Sequence, residues 1–288
     1  MRPIQVIVNA DDFGSSREVN AAVIHAFKEG VLTSCSLMVT GEAFEEAVSL
    51  AKEHSGLRVG LHLVAVCGRS VLPSSEIPSL VDSKGQFPDH PVVAGLKYFF
   101  SRRARSELRQ ELSAQFERFQ ATGLPFSHID GHLHMHVHPV ILDWAIKLGV
   151  RYNVKRMRVP NDDLSLALRF DRSSTFKKVI HASIFGILSR FMKSRLRANG
   201  FLFSDRVYGL FQTGKMNETY FLEALQALSS QSNEIYFHPA LYETNPSHPN
   251  KRAQAEAELN ALTSPRVIEL FKRLAIQRIS YFELESAR

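Results

Sequence analysis

The sequence predicts an alternating α/β fold around a parallel sheet. Three observations point there: short β-like runs recur along all 288 residues, amphipathic helical patterns separate most of them, and several runs end in aspartate or histidine. The first run, Ile4–Asn9, is apolar and reads as a strand; Val19–Glu29 repeats its apolar residues at helical spacing, and Ser34–Thr40 reads as the next strand, giving a β-α-β unit. Further strands are expected at Leu57–Val66, Phe126–Asp130, Lys155–Val159, Arg206–Leu210, Glu234–His238 and Arg278–Phe282. About seven or eight parallel strands of this kind close into a (β/α) barrel or open into a doubly wound sheet, and periodicity does not separate the two. No G-x-G-x-x-G follows the first run, which weakens the dinucleotide-binding version.

Composition bounds the remaining choices. A hydrophobic fraction of 44%, 20 Phe and only 22% charged residues supply a large core, so one catalytic domain over 1–288 is expected. Within it, about 70–92, with Pro73, Pro78 and Pro88, reads as a loop insertion. Cys35 and Cys67 lie in apolar stretches without metal-ligand spacing and are expected as buried thiols rather than a disulfide, in keeping with a reducing compartment. Met1-Arg2-Pro3 runs straight into the first strand, so a cytoplasmic protein is expected. The net charge of +6 admits nucleic acid, an anionic membrane or a solvated basic exterior. The basic residues ride with aliphatic stripes rather than a recognition motif, which argues against nucleic acid. They concentrate at about 173–200, where Phe176, Ile180, Ile184, Ile187 and Phe191 alternate with Lys177, Lys178, Arg190 and Lys193, and no acidic residue interrupts Phe176–Asn199. That segment reads as a basic amphipathic helix, packed in the core or laid on a membrane. The stretch Lys97-Tyr98-Phe99-Phe100-Ser101-Arg102-Arg103 has a similar character.

Four features carry chemistry. Asn9-Ala10-Asp11-Asp12-Phe13-Gly14 ends the first strand in two adjacent carboxylates, at the strand end where α/β folds build sites; taken alone, it reads more readily as a turn with an Asp at a helix cap. Gly60-Leu61-His62-Leu63 embeds a histidine in an apolar strand. The run from His128 through Asp130, His132, His134, His136 and His138 places a histidine at every second position from 132, which in extended backbone would line one wall with imidazoles. Glu234-Ile235-Tyr236-Phe237-His238-Pro239 ends another strand in a histidine, a candidate general acid. Asp130 is a candidate to orient a neighbouring imidazole or, equally, to cap a strand end, His134 a candidate substrate contact or structural residue, and Arg158, in Met157-Arg158-Val159-Pro160 at another strand end, a candidate to orient a catalytic carboxylate.

With these motifs in order, the chain resembles the YdjC-like carbohydrate deacetylase family, through 9–14, Val31-Leu32-Thr33-Ser34, Gly60-Leu61-His62, Asp130-Gly131-His132-Leu133-His134 and His238-Pro239. Many members carry Ser where this chain has Gly131. Within the family it is most similar to the hopanoid biosynthesis-associated deacetylases, through Val71-Leu72-Pro73, Gly95-Leu96-Lys97-Tyr98-Phe99-Phe100, Asp205-Arg206-Val207-Tyr208-Gly209 and Glu234–Ala240. The resemblance implies a (β/α) barrel of the glycoside hydrolase/deacetylase type, possessing one divalent ion (Zn²⁺ or Mg²⁺, with Mn²⁺ or Co²⁺ compatible) on Asp12, His62 and His132. It implies hydrolysis of an N-acetyl group, Asp11 drawing a proton from water and His238 protonating the departing amine. The implied substrate is an acetylated amino sugar, lipid-linked in the hopanoid case, which would bring the protein to the inner face of the cytoplasmic membrane. A metal-dependent hydrolase of other bonds, a chitooligosaccharide deacetylase and a non-catalytic carbohydrate or metal binder are the competing expectations.

Overall fold

The computed structural model describes residues 3–173, 175–242 and 249–285. Strand β1 (Gln5–Phe13) is followed by helix α1 (Arg17–Glu29), β2 (Ser34–Leu37), α2 (Phe44–Glu53) and β3 (Arg58–Leu63). A long connection leads to α3 (Pro91–Phe100) and α4 (Arg102–Ala121), then β4 (Phe126–Gly131), a 3₁₀ turn (His132–Val137) and α5 (Pro139–Arg151). Next come α6 (Leu164–Phe170), α7 (Thr175–Ala198), β5 (Arg206–Tyr208), α8 (Glu218–Ala227), β6 (Ser232–Phe237), α9 (Pro249–Thr263), α10 (Pro265–Arg273) and β7 (Gln277–Ile279), with a closing 3₁₀ turn at Tyr281–Glu283.

Local sequence sets these boundaries. Ser16, Ser101, Asn217 and Ser264 accept backbone N–H groups at the starts of α1, α4, α8 and α10. Pro91, Pro139 and Pro265 occupy first helical turns, where the missing N–H costs nothing.

All strand pairs are parallel, in the order β4-β3-β2-β1-β6-β5, with β7 beside the first half of β1. The expected eighth strand, Lys155–Val159, is reduced to isolated bridges: Met157 pairs with Ile129 of β4, and Arg156 pairs with Leu202 ahead of β5. That irregular segment knits the two edges of the curled sheet together, so the fold is a distorted (β/α) barrel with seven strands among the described residues. Strands β1, β3, β4 and β6 are buried on both faces, as parallel strands under helices must be, while β7 leaves Gln277 and Arg278 exposed.

The 70–92 connection has no helix or strand until α3, and α4 holds it down. Glu111 accepts the N–H groups of Val71 and Leu72 at 2.9 and 3.0 Å, and Glu107 accepts Ser79 N–H at 2.7 Å. The basic segment is one 24-residue helix, α7, in which only Ser189, Met192 and Leu196 are buried. Both cysteines are free; Cys35 is buried as expected, whereas Cys67, in the irregular connection after β3, is only half-buried. No described helix is long and apolar enough to cross a membrane.

Candidate active site

At the end of β1 the pairing with β2 slips: Ala10 faces Cys35 and Phe13 faces Leu37, so Asp11 and Asp12 together stand opposite Ser36. Asp12 takes φ 63°, a left-handed conformation that aspartate tolerates better than most residues. Such a bulge re-aims side chains, and the two carboxylates go to different partners.

Asp12, half-buried, faces two imidazoles. His132 Nδ1 lies 2.9 Å and His62 Nε2 3.3 Å from Asp12 Oδ1. His62 stands in register with Asp130 across β3 and β4, and its Nδ1–H donates to Asp130 Oδ1 at 2.8 Å. This bond turns Nε2 toward Asp12, as a second partner does for a metal-ligating histidine. Ligand atoms of Asp12, His62 and His132 all lie within 4.8 Å of one another. Burial opposes charge on Asp12, yet His132 and His62 hold its carboxyl well below the usual range. Burial likewise opposes charge on His62, but Asp130 and Asp12 outweigh it and push the imidazole up to about 10. The pocket therefore stabilises positive charge between these groups, and its Asp/His/His donors fit a divalent ion. Asp11, His62 and Asp130 also cluster, but there Arg158 already supplies the cation, at 2.6 Å from Asp11 and 3.0 Å from Asp130.

Asp11 is held from below. Arg158 grips both its oxygens, Nη1 to Oδ2 at 2.6 Å and Nη2 to Oδ1 at 2.7 Å, while Asn9 Nδ2 donates to Oδ1 at 2.9 Å. Arg158 is wholly buried, its Nε donating to Glu234 at 2.8 Å and its guanidinium lying 4.6 Å from the Tyr236 ring centre. Glu234 also accepts from the Tyr281 hydroxyl. Above Asp11, His238 Nε2 lies 4.0 Å from Oδ2, and buried Glu258 of α9 accepts the His238 backbone N–H.

The alternating histidines do not line one wall. Residues 132–137 form a 3₁₀ turn with Leu133 and His134 left-handed, at φ 48° and 56°, and the imidazoles diverge. His132 turns to Asp12; His134 Nε2 meets the Tyr236 hydroxyl at 2.9 Å; His136 Nε2–H donates to the Arg158 carbonyl at 3.1 Å. Thus Asp11, Asp12, His62, Asp130, His132, Arg158 and His238 converge, while His134 sits one step away beside Tyr236 and His136 buttresses Arg158 from behind. Asn9, Ser36, Glu234 and Glu258 escape sequence reasoning. A lone glutamate in the apolar strand around 234 was a signal; Ser36, which accepts from Asn9 and donates to Asp130 at 2.8 and 2.7 Å, gave none.

Two chambers open from this centre and share Asp11, Thr213 and His238. One, of about 420 Å³, has a mixed lining that includes Ser15, Ser16, Gln254 and Glu258 beside Val19, Ala240 and Tyr242. The other, of about 730 Å³, runs between α3 and α7 and is walled by Leu96, Phe99, Leu133, Ile184, Phe185 and Leu188.

The family model of YdjC-like proteins matches residues 5–273. The chain belongs to the YdjC-like family. A carbohydrate deacetylase of Brevibacillus brevis is 47% identical over 154 residues, 52% of this chain and 58% of that protein. The chain thus spans somewhat over half the length of that relative. A chitooligosaccharide deacetylase of Enterobacter sp. is 32% identical over 273 residues, covering 90% of this YdjC-like chain and 91% of its own. Among solved structures, a candidate cellobiose-phosphate cleavage protein of Enterococcus faecalis superposes with a TM-score of 0.73 at 25% identity, over 98% of both chains.

Proposed function

We propose that this YdjC-like protein is a metal-dependent hydrolase that removes the N-acetyl group from an acetylated amino sugar. The observation that carries the reading is the convergence of Asp12, His62 and His132 within 4.8 Å, beside an Asp11 clamped by Arg158 and within reach of His238. Deacetylase names among relatives, one aligned over 90% of this chain, support it. Asp12, His62 and His132 would hold one divalent ion, and imidazole-rich ligation favours Zn²⁺ over Mg²⁺. Such an ion polarises an amide carbonyl and acidifies water. Asp11, fixed by two bonds from Arg158 and one from Asn9, is placed to take a proton from the attacking water. His238, partly exposed at the junction of both chambers, is placed to hand a proton to the departing amine. A non-catalytic binder would need neither of these two groups.

We further assign the substrate as lipid-linked, an N-acetylglucosaminyl hopanoid being the form the sequence motifs suggest, met at the cytoplasmic membrane surface. The apolar 730 Å³ chamber supports this reading, since an oligosaccharide alone would leave Leu96, Phe99, Ile184 and Leu188 without an apolar partner. Mass spectrometry of acetylated glycolipids and chitooligosaccharides, incubated with metal-replete and chelated protein, tests both levels. Loss of one acetyl group only with metal is expected, faster on the glycolipid. Equal loss on both substrates would remove the lipid assignment, and phosphate release from phosphoesters without acetate release would overturn the deacetylase reading.

A further inference from the structure

The walls of the larger chamber carry more apolar surface than its interior uses. Val93 on α3 is 60% exposed, and Phe176 and Ile187 on α7 are 77% and 62% exposed, yet none of the three lines the chamber. Val179, Ile180 and Phe191 share that position. Single exposed apolar residues are ordinary, but two helices flanking one mouth and both studded with them form an extended patch. A ligand inside the chamber does not cover it.

The charges within α3 and α7 themselves have one sign. Lys97 and Arg102 are exposed in and just after α3, as are Lys177 and Arg190 in α7, while Arg103 is paired with Glu107 at 2.8 Å; neither α3 nor α7 contains an acidic residue. Asp171, ahead of α7, is neutralised by Lys178 and Lys215 at 3.1 and 2.8 Å. Exposed aromatic and aliphatic residues interleaved with cations are the make-up of an interfacial helix, whose apolar side sinks to the headgroup boundary while lysine and arginine meet anionic heads.

We propose that α3 and α7 dock together on an anionic lipid bilayer, with the mouth of the chamber between them facing the lipid. The two helices then serve as lips, and a lipid-linked sugar passes from the bilayer into the chamber without crossing water. The purpose of this docking rests on the lipid-linked reading given above, whereas the docking itself rests on the surface alone.

Cosedimentation of the full chain with phosphatidylcholine vesicles, and with vesicles that also contain phosphatidylglycerol, tests the proposal. Acetate release from soluble acetylated chitooligosaccharide is measured in parallel, and size-exclusion chromatography of the free protein is run alongside. The expected result is binding to the anionic vesicles, weakening as salt rises, and reduced about tenfold or more in the V93S/F176S/I187S variant. These residues are exposed and lie outside both chambers, so the variant should retain its fold and its rate on the soluble substrate. Sedimentation no better with anionic than with neutral vesicles, or a variant that binds as well as the parent, overturns the proposal. So does a free dimer that the same substitutions split, because a second copy then covers the face. Vesicle binding without deacetylation of any substrate leaves the docking standing and sinks the enzymatic reading; soluble deacetylation without vesicle binding does the reverse.

Discussion

Arg158 concentrates the energetics of the site in one side chain. A guanidinium with no exposure loses its hydration, and only full pairing recovers that loss. Here Asp11, Asp130 and Glu234 pair with it, and together they outweigh burial and hold its pKa above the usual arginine value. Lysine would keep the charge but not the fork that grips both oxygens of Asp11. Arg158→Lys is therefore expected to lower turnover by about 10²-fold through misplacement of Asp11, with a loss of roughly 2–4 kcal/mol in unfolding free energy. Steady-state kinetics and urea unfolding check this; an unchanged turnover would show that Asp11 is not positioned by Arg158. His136, packed behind Arg158, gives a pH signature. Burial, despite the pull of Asp130, lowers its pKa to about 4, against about 6.5 in an unfolded chain. Between those values the unfolded chain binds a proton there and the folded one does not. The contribution of His136 is thus complete above pH ~6.5 and is lost as pH falls toward ~4, a span on the order of 3 kcal/mol. The stability gap between the parent and His136→Gln should narrow over that range, as urea midpoints would reveal.

At the scale of elements, close approach of β3 and β4 aligns His62 with Asp130, and Gly60 makes it possible. A Cβ on Gly60 would lie 2.4–2.6 Å from three atoms of the His128 ring. That ring cannot swing aside, being stacked on Tyr281 at 4.0 Å and bonded to Ser36 at 3.1 Å. Gly60→Ala should cost about 1–3 kcal/mol and weaken metal uptake by displacing His62; a lowered urea midpoint and reduced metal content are the readouts. Strand ends were legible where an apolar run stops at a polar residue, as at Asp11 and His238; the expected strand Leu57–Val66 instead ends at Leu63, because the apolar run continues past His62 after the ladder has stopped. The 132–137 turn was not, because alternation of histidines looks the same in extended backbone as in a turn whose Leu133 and His134 are left-handed. The expected strand at 155–159 was misjudged for a related reason. Its residues have strand character, but its neighbours Ile129 and Leu202 meet it only singly, and partner geometry is not written in local pattern.

For the whole molecule, the curled sheet gathers the ends of β1, β3, β4 and β6 at one rim, so residues up to 227 positions apart in sequence, such as Asp11 and His238, come within 4.0 Å. Most of the charged rim could be read from strand-end motifs. The polar residues beneath it could not: Asn9, Ser36 and Glu258 look like ordinary strand and helix residues until their partners are in place. Gathering the ends at one rim also joins the mixed smaller chamber to the apolar larger one across Asp11, Thr213 and His238. In the function proposed here the adjacent carboxylates divide the labour, Asp12 with the ion and Asp11 with the water. Metal content and acetate release measured on the same preparation of Asp11→Asn test it most directly. About one divalent ion per chain is expected, as in the parent, with turnover lowered by about 10²–10⁴-fold; near-parental turnover with the ion retained would contradict this division.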